Sequence, residues 1–101
     1  MDIEDLLMTV RSTGASDLHV QSGEIPRIRV EGRMKELNML PLTNAIVTRL
    51  RNQLAMEDEV EARFIDNNFV DFIYRHQTLG KYRVNISKCW SGLKLSFRRI
   101  D

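Results

Sequence analysis

Lys81-Tyr82-Arg83-Val84-Asn85-Ile86 and Leu93-Lys94-Leu95-Ser96-Phe97-Arg98 carry the pattern that decides the fold. In the first stretch Tyr82, Val84 and Ile86 alternate with Lys81, Arg83 and Asn85. In the second Leu93, Leu95 and Phe97 alternate with Lys94, Ser96 and Arg98. Successive side chains of a strand point to opposite faces, so a period of two gives each strand one apolar and one polar face. Half-buried strands of this kind belong to an antiparallel sheet with one face on a core and the other in water. Ser91-Gly92 reads as the turn between them.

Working outward, Asn68 to Tyr74 is rich in aromatic and β-branched residues and reads as another strand, with His76 to Gly80 as a hairpin loop. Before it, a short acidic helix is predicted from about Met56 to Phe64, since Glu57, Asp58 and Glu59 suit a helix N-terminus through the macrodipole. Thr43 is the expected cap of a longer helix carrying Ile46, Val47, Leu50 and Leu54 at helical spacing. Three short strands come earlier: Leu18-His19-Val20, Ile25 to Val30, and Arg33 to Leu37. Glu31-Gly32 is a two-residue hairpin turn, where glycine tolerates the positive φ required. The first helix has both ends marked. Asp2 and Asp5 form a capping pair, Leu6, Leu7 and Val10 form the apolar stripe, and Gly14 is a left-handed stop. The order α-β-β-β-α-α-β-β-β implies an α+β sandwich, helices packed on one face of an antiparallel sheet, and one domain over residues 1–101.

The 101 residues suffice for one core. A net charge of +1 with 29% charged residues argues against a surface tuned to a polyanion. A nucleic-acid-binding sheet face, recognisable by strongly salt-dependent binding, is accordingly the weakest reading. Cys89 is alone, so no internal disulfide or cysteine-rich metal site is expected, which fits a reducing compartment. The acidic start Met1-Asp2-Ile3-Glu4-Asp5 is unlike a signal peptide, and no apolar run reaches the roughly 20 residues needed to span a bilayer.

The sequence carries no Gly-x-x-x-x-Gly-Lys-Ser/Thr phosphate loop, no Gly-x-Ser-x-Gly and no His-Glu-x-x-His. Neither His19 nor His76 has a second ligand at metal-binding spacing, so no metal site and no catalytic centre are expected. The polar strand faces are more suggestive. Arg27 and Arg29 flank Ile28 and project away from it, and Arg83, Lys94 and Arg98 also lie on polar faces. Converged on one surface, such guanidinium forks suit a nucleotide phosphate or an acidic partner. The competing reading is a set of solvated charges that keep sheet edges soluble. His19 beside Asp17 reads as a structural hydrogen-bonder or a paired imidazole, with Asp17 starting its strand or pairing with a nearby base. Trp90 fits a docking aromatic or an ordinary core residue equally well. Asp71 reads as the polar-face member of its strand.

Four blocks go further. Gly14-Ala15-Ser16-Asp17-Leu18-His19 resembles the Gly-Ala-Ser-Asp-Ile/Leu-His signature of the PilT-like type IV pilus and type II/IV secretion ATPase superfamily. Pro26-Arg27-Ile28-Arg29-Val30-Glu31-Gly32-Arg33 is similar to the block that follows it there. Lys81-Tyr82-Arg83-Val84-Asn85 and Phe97-Arg98-Arg99-Ile100 resemble the family's later strands. The opening Met1-Asp2-Ile3 suggests the retraction-motor branch.

The resemblance implies a PAS-like N-terminal domain that regulates and assembles a motor, followed in the family by a RecA-like ATPase domain. It implies a homohexamer, ATP and Mg bound between the two domains of the full-length protein, and no cofactor for the isolated domain. Arginines of the N-terminal domain would sense the phosphates: by motif position Arg29 and Arg83, then Arg27 and Arg98. Ser16, Asp17, His19, Gly32 and Asn85 would be architectural, with the Ser16-Asp17-His19 block holding the first helix against the sheet. Expected partners are the RecA-like domains of the same and neighbouring subunits and the inner-membrane platform proteins of a pilus or secretion system. No direct nucleic acid and no membrane span are expected, and the location would be cytoplasmic, peripheral to the inner membrane. The family's Walker A, Walker B, acidic and histidine boxes are missing, and the sequence stops at Asp101 where a linker is due. The expectation is a domain excised from a longer motor, with a free-standing ligand- or protein-binding module as the alternative.

Overall fold

The computed structural model describes residues 1–100. Helix α1 (Ile3–Thr13) opens with the Asp2 N–H donating to the Asp5 carboxylate at 2.8 Å and closes on Gly14 at φ 72°. Strands β1 (Asp17–Gln21), β2 (Arg27–Val30) and β3 (Arg33–Glu36) follow. The turn between β2 and β3 places both Glu31 and Gly32 at positive φ (50° and 78°), the backbone that matches strand twist in a two-residue hairpin. Pro26, which has no N–H to give, stays outside β2, so that strand begins two residues later than the pattern suggested.

Thr43 caps α2 (Asn44–Gln53), its Oγ1 accepting the Ile46 N–H at 3.2 Å. Helix α3 (Asp58–Asn67) starts two residues later than expected and runs three further. Ala55 at φ 49° takes the chain out of helix, Glu57 is the extended cap, and Asn68 at φ 64° supplies the left-handed stop. Strands β4 (Phe69–His76), β5 (Gly80–Cys89) and β6 (Gly92–Ile100) complete the chain.

All six strands pair antiparallel in one sheet of order β3-β2-β1-β6-β5-β4. The three helices cover one face: α1 lies on β1, α2 across β1 and β6, and α3 beside β4. Between the layers sit Leu7, Val10, Val47 and Leu50 from the helices and Leu18, Val20, Val84, Ile86, Leu95 and Phe97 from the strands, all buried. Tyr82 joins them edge-on to Phe97, with ring centroids 6.4 Å apart at 85°, and its hydroxyl donates to the Leu79 carbonyl. No buried side-chain nitrogen or oxygen among the described residues lacks a partner. This is the α+β arrangement, helices on one face, that the strand alternation called for.

At the β5–β6 turn the chain comes close to the start of α2. Gly92 sits at φ 138° against Ser22 and Asn44. Ser22 Oγ donates to Asn44 Oδ1 at 2.9 Å and accepts the Leu93 N–H at 3.0 Å. Trp90, on the same turn, is fully exposed, so it is no part of the core.

Candidate functional site

The face of the sheet that no helix covers is mostly polar because alternation points the polar and charged residues of β1, β2, β5 and β6 there, with the exposed Met34, Phe69 and Ile73 as apolar members on the outer strands. Strand register arranges them in rows. One row runs Arg29, Asp17, Arg98, Arg83 across β2, β1, β6 and β5. The next runs Arg27, His19, Ser96, Asn85, Asp71 and reaches β4. Lys94 lies in a third row between Gln21 and Ser87. Between the first two rows is a shallow hollow of about 250 Å³, lined by Asp17, His19, Asp71, Arg83, Asn85, Ser96 and Arg98.

Asp17 is the buried anchor of the first row, 5% exposed. Its Oδ1 accepts the Nε–H of Arg98 at 3.0 Å, while Oδ2 accepts the Ser16 hydroxyl at 2.7 Å and lies 3.5 Å from Arg29 Nε. Arg29 also donates through Nη1 to the Gly32 carbonyl at 3.1 Å. Arg83 lies directly opposite Arg98 and has no ion-pair partner among the described residues. Like charges directly across a strand pair repel, so this pair is stabilised by any anion that settles between them.

The four arginines named from the sequence therefore separate. Arg29, Arg83 and Arg98 share one row, whereas Arg27 sits one row away and pairs with Glu24 at 3.7 Å. Asn85 donates to Asp71 at 3.0 Å, and Gly32 serves the hairpin. Ser16 ties strands together through its backbone: its N–H donates to the Arg29 carbonyl and its carbonyl accepts the Arg99 N–H, both at 2.9 Å. One expectation is corrected. Asp17 and His19 line the hollow on the helix-free face, so their side chains do not hold α1, which rests on its own apolar stripe. Ser96 was not singled out from the sequence, although its place between Leu95 and Phe97 puts it on the polar face.

Burial alone would raise the Asp17 carboxyl, but the hydrogen bonds from Ser16 and Arg98 and the charge of Arg98 outweigh it and hold it below its ordinary 3.8. Burial pushes the His19 imidazole below its ordinary 6.5; the Asp17 carboxylate opposes this, while Lys94, Arg27 and Arg29 add to it. The unfolded chain thus takes up a proton at His19 near pH 6.5 before the folded chain does. Stability falls as pH drops through that value to the lower folded one, whereas the contribution of Asp17 persists until pH falls below about 3.8. Urea midpoints should decline between pH 7 and the His19 value, and His19→Gln should flatten that decline. An equally steep decline in the variant would show that His19 is not its source.

No group of three His, Cys, Asp or Glu side chains able to hold a metal ion is present among the described residues. None of their helices is long and apolar enough to cross a membrane.

No protein-family model matches the sequence. Against curated proteins, the chain is 34% identical over 100 residues to the type IV pilus retractation ATPase PilT of Pseudomonas aeruginosa, covering 99% of this chain and 29% of that protein. It is 27% identical over 101 residues to the type IV pilus ATPase PilU of the same organism, covering 26% of it. The chain thus spans under a third of the length of the relatives it matches. Its fold superposes on a crystal structure of the pilus retraction motor PilT with bound ADP, at TM-score 0.89 and 24% identity, covering 100% of this chain and 29% of that one. The Legionella pneumophila ATPase DotB follows at 0.81 and 24% identity, with 98% and 28% covered.

Proposed function

We propose, from the chain's homology to the N-terminal domain of the PilT-like pilus and secretion ATPases, that it is the regulatory and assembly domain of such a motor. In this reading the helix-free sheet face meets a RecA-like ATPase domain, and its arginines reach the phosphates of a nucleotide held mainly by that partner. The observation that carries it is the facing pair Arg83 and Arg98, one unpaired and the other anchored through Nε. Anchoring leaves the terminal nitrogens of Arg98 for an oxyanion, and arginine is the side chain suited to bidentate phosphate contact. The chain contributes charge and rigid positioning; phosphate cradling, the metal and the attacking water belong to the RecA-like partner. ATP turnover would then be coupled to movement of the two domains against each other about a hinge, in a homohexamer.

The test joins this chain to a PilT-type RecA-like domain and measures ATP turnover. Arg83→Ala and Arg98→Ala should each lower kcat by at least about tenfold, a conservative floor beneath the roughly 10³–10⁵-fold contributed by an arginine that contacts the transferring phosphoryl group. Folding is checked by the thermal transition of each variant. Unchanged turnover with both arginines replaced in a folded, assembled protein overturns the reading.

A further inference from the structure

We infer that Asp17 is a positioning residue for phosphate recognition: it clamps Arg98 and Arg29 by their Nε edges and so aims the terminal nitrogens of Arg98 into the hollow. This rests on the proposed role of the arginine face. A guanidinium has five N–H donors in a planar fork, and a carboxylate on Nε leaves the four on the two Nη atoms. In Arg98, Nε is bound to Asp17 at 3.0 Å, and neither Nη has a partner among the described residues. The side chain of Arg98 is 71% exposed, so without its anchor nothing would fix its direction. Arg29 is gripped twice, by Asp17 at 3.5 Å and the Gly32 carbonyl at 3.1 Å, and flanks the carboxylate on its other side. Ser16 donates to the carboxylate as well, so the clamp is itself held.

Three guanidiniums share this row with one buried carboxylate, which leaves the row positively charged. The ligand class is therefore a polyphosphate oxyanion that lies against Arg98 and the unpaired Arg83. Removing Asp17 has two opposed consequences. In field alone, loss of a negative charge beside the site tightens anion binding. As a clamp, its loss frees Arg98 to wander and weakens binding. The two roles thus predict opposite signs.

The experiment titrates inorganic pyrophosphate into the 15N-labelled chain at fixed ionic strength and follows arginine side-chain resonances by NMR. In the wild type, Arg83 and Arg98 Nη signals should shift while Arg98 Nε–H stays slow to exchange. Asp17→Asn should weaken binding at least about fivefold, as expected for one charge-assisted contact loosened, and should speed exchange at Arg98 Nε–H. Tighter or unchanged binding in a folded Asp17→Asn variant overturns the clamp. If that variant does not fold, the wild type decides: fast exchange at Arg98 Nε–H, or its displacement by pyrophosphate, also overturns it. Arg83→Gln and Arg98→Gln separate the two levels. If neither weakens pyrophosphate binding, the arginine reading itself fails; if both do and Asp17→Asn does not, only the clamp fails.

Discussion

Replacing Phe97 with alanine should lower the stability of the domain by about 3–5 kcal/mol, the range for removing a fully buried aromatic ring from a packed core. Phe97 is 1% exposed and lies on β6 between Leu18 of β1 and Val84 of β5, with Tyr82 edge-on to its ring. Three strands, β1, β5 and β6, lose contacts at once, and a ring-sized void among Leu18, Val84 and Tyr82 cannot close without moving them. Small domains have only about 5–15 kcal/mol in total, so the loss would take a large part of it. Urea unfolding would show a lower midpoint at unchanged slope. A drop of less than about 1 kcal/mol would mean that the ring is not packed as described.

Gly92→Ala should be the most damaging change at any turn. A Cβ there would lie 2.1 Å from Asn44 Oδ1 and 2.6 Å from Ser22 Oγ, at a φ of 138° that side chains other than hydrogen rarely adopt. Backbone strain of about 1–3 kcal/mol adds to the displacement of the Ser22–Asn44 and Leu93–Ser22 hydrogen bonds, each contributing about 1 kcal/mol. A total of about 3–5 kcal/mol follows from those contributions. Gly14→Ala is the control, since that position has φ 72° but nothing within 4 Å. Its cost should be about 1–2 kcal/mol, the left-handed penalty alone. Thermal unfolding of the two variants side by side decides the matter, and equal losses would remove Ser22 and Asn44 as the cause.

What the sequence made legible was local. Asp2, Asp5 and Gly14 bound the first helix through contacts within a few residues, and Glu31-Gly32 makes its hairpin by its own backbone. Period-two alternation put Arg27, Arg29, Arg83 and Arg98 on the strand faces opposite the apolar residues, where they lie. The third helix was misplaced because acidic residues suit both a cap and a first turn, so Glu57 read as helical where it is the cap. Its stop is Asn68 at φ 64°, which adjoins the aromatic and β-branched run of β4 and so reads as strand from pattern alone. Register was not legible. Asp17 meets Arg98 from 81 residues away, and nothing near Asp17 in the chain announces that partner. For the same reason the separation of Arg27 from the other arginines and the exposure of Trp90 emerge only from the assembled sheet.

The sheet order also has a consequence for how the domain is made. β6 lies between β1 and β5 and joins two otherwise separate three-stranded and two-stranded groups. Its partner β1 is synthesised near the beginning and must wait for residues 92–100, at ribosomal rates of about 5–20 residues per second. Until then β1 and β5 each present an unpaired hydrogen-bonding edge, and the core residues of β6 are absent. Closing that long loop sets an entropic barrier ahead of most of the stabilisation. Between the synthesis of β1 and that of β6 the nascent chain therefore carries two open strand edges, and the sheet closes when β6 docks.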